Sequence, residues 1–266
     1  MRNSFILIAV LAAACVSDPA PQSVDQRLEQ SPRHHQWVTI NQGDRTVHAF
    51  LVFPEIKTLA TAVVVIHENR GLTDWVRAIA DDLAAAGYIA IAPDLLSGMG
   101  PEGGKTSDYP DGDAAREGIY QLPPDQVTAD LHAVADYVAQ LPAANGKVTV
   151  AGFCWGGSQS FRFATNRPDL GAAFVFYGTG PDSEEAVARI NCPVEGFYGG
   201  ADARVGATVP KSAELMETAG KSFQPVTYNG AGHGFMRAGE VPDASEANRK
   251  ARGAAWERWL GLLEKI

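Results

Sequence analysis

A single α/β domain is predicted for this chain, with a mostly parallel central sheet and helices on both faces. Three observations carry that prediction. Short β-branched runs recur from Trp37 onward and alternate with helical stretches, the pattern of parallel strands joined by crossover helices. The run Thr61-Ala62-Val63-Val64-Val65-Ile66-His67 is apolar on both faces, as a central parallel strand must be. The stretch Val148-Thr149-Val150-Ala151-Gly152-Phe153-Cys154-Trp155-Gly156-Gly157 passes from a strand through a sharp Gly-x-Cys-x-Gly-Gly turn into the helical Ser158–Ala164.

The chain begins with Met1-Arg2-Asn3-Ser4 and an apolar run, Phe5–Ala14, which together have the plan of a secretory signal peptide over residues 1–14. The apolar run is too short to span a bilayer. Two processing outcomes fit. Ala12-x-Ala14 suits ordinary cleavage before Cys15, whereas Leu11-Ala12-Ala13-Ala14-Cys15 resembles a bacterial lipobox with its Leu one place early. Both outcomes export the mature chain to the periplasm. The second makes Cys15 the lipidation site and, with Val16 in place of an Asp-type retention signal, anchors the protein to the outer membrane. Residues 15–36, rich in Pro, Ser, Gln and Asp, read as a flexible tether.

The folded domain is expected over 37–266. Trp37–Ile40 and Thr46–Phe53 flank the turn Asn41-Gln42-Gly43-Asp44 and read as a hairpin. After the Thr61–His67 strand, Thr73 caps a helix that Gly87 ends, and Tyr88–Ala92 is the next strand. Pro93–Pro124 is long and rich in Gly and Pro, with room for a short helix at Asp113–Tyr120; a loop of that length generally serves function. Asp125–Leu141 is helical. Strands at Ala172–Tyr177, Val194–Tyr198 and Phe223–Tyr228 follow, with helices at Ser183–Arg189 and Val209–Ala219 between them, and Ala244–Lys265 closes the chain. Neither a repeat nor a second domain is visible.

Composition narrows the partners. Hydrophobic residues make up 45%, ample for a core, and the net charge of -9 argues against nucleic acid. A small anionic substrate remains compatible, since a few local arginines suffice to hold one. No cofactor or metal is expected.

In an open α/β sheet the site lies at the carboxyl ends of the strands. Gly152 and Gly156 leave room for a strained turn that lifts the Cys154 sulfur off its strand, against the N-terminus of the next helix. The helix N–H groups and macrodipole there favour a thiolate. Of six histidines, His34 and His35 fall in the tether, His48 in the hairpin and His132 in a helix. His67 ends a strand, where it lines the site or is a satisfied structural histidine. His233, in Gly230-Ala231-Gly232-His233-Gly234-Phe235, follows the last strand, and Asp202 follows Val194–Tyr198. Asp94 also follows a strand but precedes the cysteine, and fixes a loop. The order Cys154, Asp202, His233 is that of the α/β-hydrolase triad with Cys replacing Ser. Roles follow: Cys154 as nucleophile, His233 as base, Asp202 holding the imidazole. The backbone N–H groups of Trp155 and Asn69 form the oxyanion hole. A thiolate leaves a tetrahedral intermediate readily, which suits esters with good leaving groups such as enol esters.

From about Thr61 to His233 the chain resembles the dienelactone hydrolases (carboxymethylenebutenolidases). The matching pieces are Val64-Val65-Ile66-His67-Glu68-Asn69-Arg70-Gly71, Gly152-Phe153-Cys154-Trp155-Gly156-Gly157, Gly199-Gly200-Ala201-Asp202 and Gly232-His233-Gly234-Phe235. The resemblance implies that Glu68 contacts the resting thiol and helps to ionise it when substrate binds. It also implies that Arg116 and Arg237 grip a substrate carboxylate, and that Tyr120 lines the same pocket. The chain departs from the family at Pro123, where a Trp stands near the substrate, and in its export signal.

The preferred function is hydrolysis of a small carboxylate-bearing lactone or enol ester through a thioester intermediate. A broader carboxylesterase or thioesterase on the same triad is the alternative. A tethered thiol-sensing or binding lipoprotein, from a different class, is the third. Cys192 begins a strand whereas Cys154 ends one. A strand of about five residues at ~3.3 Å each sets them roughly 15 Å apart, beyond disulfide reach, so Cys154 is expected to stay a free thiol.

Overall fold

The computed structural model describes residues 23–266, so the signal sequence and Cys15 lie outside the described residues. Eight strands form one sheet: β1 (His34–Gln42), β2 (Arg45–Phe53), β3 (Ala60–Ile66), β4 (Ile89–Asp94), β5 (Ala144–Phe153), β6 (Ala173–Phe176), β7 (Val194–Gly199) and β8 (Phe223–Tyr228). Their spatial order is β1-β2-β4-β3-β5-β6-β7-β8. The hairpin of β1 and β2 is antiparallel and β2 runs antiparallel to β4, while every pair from β4 through β8 is parallel. This is the mostly parallel sheet that the alternating pattern predicts.

Strand β3 is buried along its whole length, which is why its sequence shows no polar alternation. Helices α2 (Asp74–Ala85) and α10 (Glu246–Leu263) cover one face, and α4 (Pro124–Ala139) and α5 (Trp155–Ala164) cover the other. On α2, Trp75, Val76, Ile79 and Leu83 recur at helical spacing and face the core. Each such side chain contributes up to about 1.5–3 kcal/mol on burial. Thr73 occupies the N-cap position of α2 but its hydroxyl makes no capping bond, so the cap expected there is one of position only. The edge strand β8 carries Pro225 opposite Gly196 of β7.

The segment 93–124 is more ordered than its composition implies. Asp94 anchors it, accepting hydrogen bonds from the Thr106 amide at 3.0 Å, the Thr106 hydroxyl at 2.7 Å and the Leu96 amide at 3.1 Å. Helix α3 (Gly112–Gln121) occupies the place expected for a short helix, capped by the Asp111 carboxylate. Pro123 stands at the N-cap of α4, where it starts that helix.

The tether expectation is corrected within the described residues. Val24–Glu29 forms helix α1, and His34 and His35 belong to β1. Ser23 and Gln26 form a capping box, and Leu28 is buried against the α2 face of the core. The carboxylate of Asp81, on α2, then gathers this segment. It accepts hydrogen bonds from the Ser31 hydroxyl at 2.6 Å and Arg33 Nε at 2.8 Å, pairs with Arg33 Nη2, and meets His35 Nε2 at 2.7 Å. Polar composition concealed one apolar anchor and one buried acid.

Burial opposes ionisation of Asp81, but the hydrogen bonds from Arg33, Ser31 and His35 win and hold its carboxyl below the usual value. A depressed pKa stabilises the fold above the unfolded pKa of about 3.9 and the effect fades as pH falls through the folded value. Asp81→Ala is expected to cost about 3 kcal/mol, the scale of breaking a buried ion pair. Limited proteolysis should then cut within 23–36 at neutral pH, as it should in the wild type only under acid. An unchanged cleavage pattern in the variant would remove Asp81 as the latch.

Candidate active site

The register of the parallel strands assembles the site. Ile66 of β3 pairs with Gly152 of β5, which places Glu68 level with Cys154. Phe153 pairs with Phe176 of β6, so Tyr177 stands beside Cys154 as well. Asp202 follows β7, and His233 follows β8. All of them emerge at the carboxyl edge of the sheet.

Cys154 sits between β5 and α5 with φ 56° and ψ -115°, a backbone state that costs a non-glycine residue about 1–3 kcal/mol. The turn closes because its flanking residues lack side chains. A Cβ on Gly152 would collide with the carbonyl of Gly156, and one on Gly156 with the carbonyl of His67. The Cys154 amide donates to the Phe176 carbonyl at 3.0 Å, tying the turn to β6.

His233 Nε2 lies 3.1 Å from the Cys154 sulfur, and its Nδ1 lies 2.5 Å from Asp202 Oδ2. With Nδ1–H given to the carboxylate, Nε2 is left to accept the thiol proton. Asp202 is buried, and its other oxygen accepts from the Val205 amide at 3.2 Å in the short helix α7 (Ala203–Gly206). The Gly232 amide donates to Asn248 of α10 at 2.9 Å and holds the histidine loop, while the edge of Tyr177 meets the imidazole at 5.2 Å between centroids.

The amides of Trp155 and Asn69 both act on the sulfur, as two donors of an oxyanion hole would. His67 is the satisfied structural histidine of the two readings. It is fully buried, contacts the Glu68 carbonyl through Nδ1 at 2.8 Å, accepts from the Leu95 amide at 3.3 Å and stacks on Trp155. Burial keeps it neutral by lowering its pKa. It thus braces the turn that carries Glu68 and Asn69.

Opposing influences act on the thiol. Burial, followed by the negative charge of Glu68, pushes the Cys154 thiol up. The Trp155 amide, Arg204 and the Asn69 amide pull the other way and lose. The amides at the helix N-terminus and at Asn69 therefore offset only part of that rise. Glu68 itself receives Arg237 Nε at 2.7 Å, and the Glu68 charge is the leading reason that the Arg237 guanidinium is raised.

Arg116 is not brought to the sulfur. It lies 3.8 Å from Asp113, a partner it shares with Arg70, and faces an outer hollow with Asn69 and Glu117. Tyr120 joins that hollow to a smaller one of about 140 Å³ that holds Cys154, and its hydroxyl accepts from the Asn69 side chain at 3.2 Å. A larger concavity of about 550 Å³ lies at the opposite, amino edge of the sheet near Lys147, Glu195 and Ile266, remote from the cysteine.

Two residues around the sulfur escape the sequence reading. Tyr177 has φ 40° and is fully buried, yet its hydroxyl has no hydrogen-bond partner among the described residues; burial first, then Glu68 and Cys154, raises its pKa. Arg204 follows Asp202 by two residues and lines the cysteine hollow. The rule that strand ends carry the site could have found Tyr177, which directly follows β6, whereas nothing in its sequence marks Arg204. Among the described residues, Cys154 and Cys192 are free thiols, as their placement on opposite strand ends predicts.

A parallel sheet of this order with a cysteine elbow, acid and histidine on its carboxyl edge defines an α/β-hydrolase. Within that class the family model of the dienelactone hydrolases matches residues 47–266, and the chain belongs to that family. The "Putative carboxymethylenebutenolidase" of Salmonella typhimurium is 32% identical over 232 residues, covering 83% of each chain. The "Carboxymethylenebutenolidase" of Pseudomonas putida is 29% identical over 238 residues, 86% of this chain and 96% of its own. A Klebsiella pneumoniae crystal structure named "Putative Dienelactone Hydrolase" superposes with a TM-score of 0.77 at 26% identity, covering 88% of this chain and 99% of that one. The protein is a hydrolase acting on esters or lactones.

The charge balance at the thiol predicts two shifts of opposite sign. Glu68→Gln should move the pH profile of Cys154 alkylation by iodoacetamide to lower pH. Arg237→Leu, which leaves Glu68 unpaired, should move it to higher pH. Profiles that coincide with the wild type in both variants would exclude Glu68 as the charge that restrains the thiol.

Proposed function

We propose that the protein hydrolyses a small lactone or enol ester through a covalent thioester on Cys154. The observation that carries this reading is the continuous contact Cys154–His233–Asp202, at 3.1 Å and 2.5 Å, on a turn faced by two backbone donors. His233 takes the thiol proton as the sulfur attacks the carbonyl carbon, and Asp202 steadies the imidazolium. The oxyanion is held by the amides of Trp155 and Asn69. Collapse breaks the carbon–oxygen bond, and His233 protonates the leaving oxygen. Water, deprotonated by His233, then attacks the thioester; the sulfur leaves and the acid is released.

Glu68, although paired with Arg237, opposes ionisation of the thiol between turnovers, and a substrate that displaces its carboxylate from beside the sulfur releases this restraint. A carboxylate on the substrate fits the arginines at the site, Arg116 and Arg237 among the candidates. We further propose that residues 1–14 direct export and that Cys15 carries lipid, which membrane fractionation of Cys15→Ser against the wild type would test.

Cys154→Ala should lower kcat on an activated ester by on the order of 10⁴-fold or more. In the wild type, acid quenching during turnover should trap an acyl adduct on the peptide containing Cys154 by mass spectrometry. Hydrolysis at the wild-type rate in Cys154→Ala would refute the mechanism.

A further inference from the structure

The arginines around the site differ in what they are free to do. Arg237 is engaged by Glu68 at 2.7 Å. Arg116 shares Asp113 with Arg70 and faces a hollow that also holds Glu117. Arg204 has neither restraint. Among the described residues no carboxylate oxygen lies within 4.0 Å of its guanidinium nitrogens, and it is the one charged side chain lining the hollow that contains the Cys154 sulfur. Two polar neighbours on that wall are satisfied by each other: the Ser158 and Thr179 hydroxyls are 3.0 Å apart, and the Thr179 amide donates to Ser158 at 2.8 Å.

Placement makes this side chain more than a solvated charge. It projects from α7, whose first turn is fixed by the Asp202 carboxylate, so the residue that orients His233 also sets the base of the Arg204 helix. Its positive charge reaches the sulfur, where it favours the thiolate against Glu68. A guanidinium offers a planar fork of donors that matches a carboxylate, and unlike Arg237 it need give up no partner to do so.

We propose that Arg204 is the specificity residue that selects a carboxylate on the substrate, remote from the scissile carbonyl, and draws it into the cysteine hollow. The inference rests on Cys154 being the reactive thiol. It assigns to α7 a recognition role that the sequence reading gave to Arg116 and Arg237. The substrates so selected are monoesters or lactones of acids that keep a second, free carboxylate.

The test compares iodoacetate, which carries a carboxylate, with neutral iodoacetamide in alkylating native Cys154. Both reagents react with the same thiolate, so the ratio of their rates cancels any change in the thiol pKa. In the wild type the ratio should exceed that of free cysteine about fivefold, the size of a partly exposed ion pair, and should fall in high salt. Arg204→Gln should return the ratio to the free-cysteine value, and Arg204→Lys should retain most of the preference. On esters, Arg204→Gln should lower kcat/KM for a mono-aryl succinate roughly ten- to a hundredfold and leave the ratio between succinate and acetate esters near that of a neutral pocket. A ratio unchanged in Arg204→Gln, or lost instead in Arg116→Gln, would overturn the assignment. Failure of both reagents to label native Cys154 would instead overturn the reading of Cys154 on which it rests.

Discussion

The close approach of the Gly152 and Gly156 backbones is the constraint on which the rest of the site depends. A turn this tight forces Cys154 to φ 56°, and it does so within contact of the His67 carbonyl on the neighbouring strand. The sulfur is therefore positioned by β3 and β5 together. The same His67 contacts the Glu68 carbonyl and stacks on Trp155, so it links the turn after β3 to the turn that carries Cys154. The strain of order 1–3 kcal/mol at Cys154 is held by sheet pairing that a local loop could not supply.

Around that frame the charges are arranged in opposition. A buried thiol is already a poor acid, and Glu68 makes it poorer, while the helix N-terminus, the Asn69 amide and Arg204 act against them. Such a balance leaves the sulfur responsive to small displacements of one carboxylate. Tyr177, which lines the hollow, adds a buried hydroxyl with no partner among the described residues beside the same pair of groups.

Much of this was legible in the residues. The central strands were legible as apolar runs, because parallel strands buried on both faces carry no polar alternation, and the antiparallel β1–β2 hairpin was legible from its turn residues. The elbow, Asp202 and His233 were legible because each follows a strand, and strand ends are where such a sheet exposes chemistry. What stayed hidden depended on three-dimensional neighbours. The part of the tether that is described folds because Leu28 joins the apolar face of α2 while Ser31 and Arg33 reach Asp81 across 50 and 48 positions of sequence, contacts composition does not encode. The sign of the thiol shift needed the depth of burial. Arg204 sits in an ordinary-looking Asp-Ala-Arg-Val, and only the folding of that segment into α7 turns it toward the sulfur.

The sheet has two open sides, and its last strand shows how one of them is closed to growth. Strand β8 is six residues long, half-exposed along its length, and interrupted at its third position by Pro225, which has no amide hydrogen. A ninth strand from another molecule would find no continuous ladder there. For an enzyme whose reactive edge lies just beyond Tyr228, this interruption guards against edge-to-edge aggregation while leaving the histidine loop free to follow immediately.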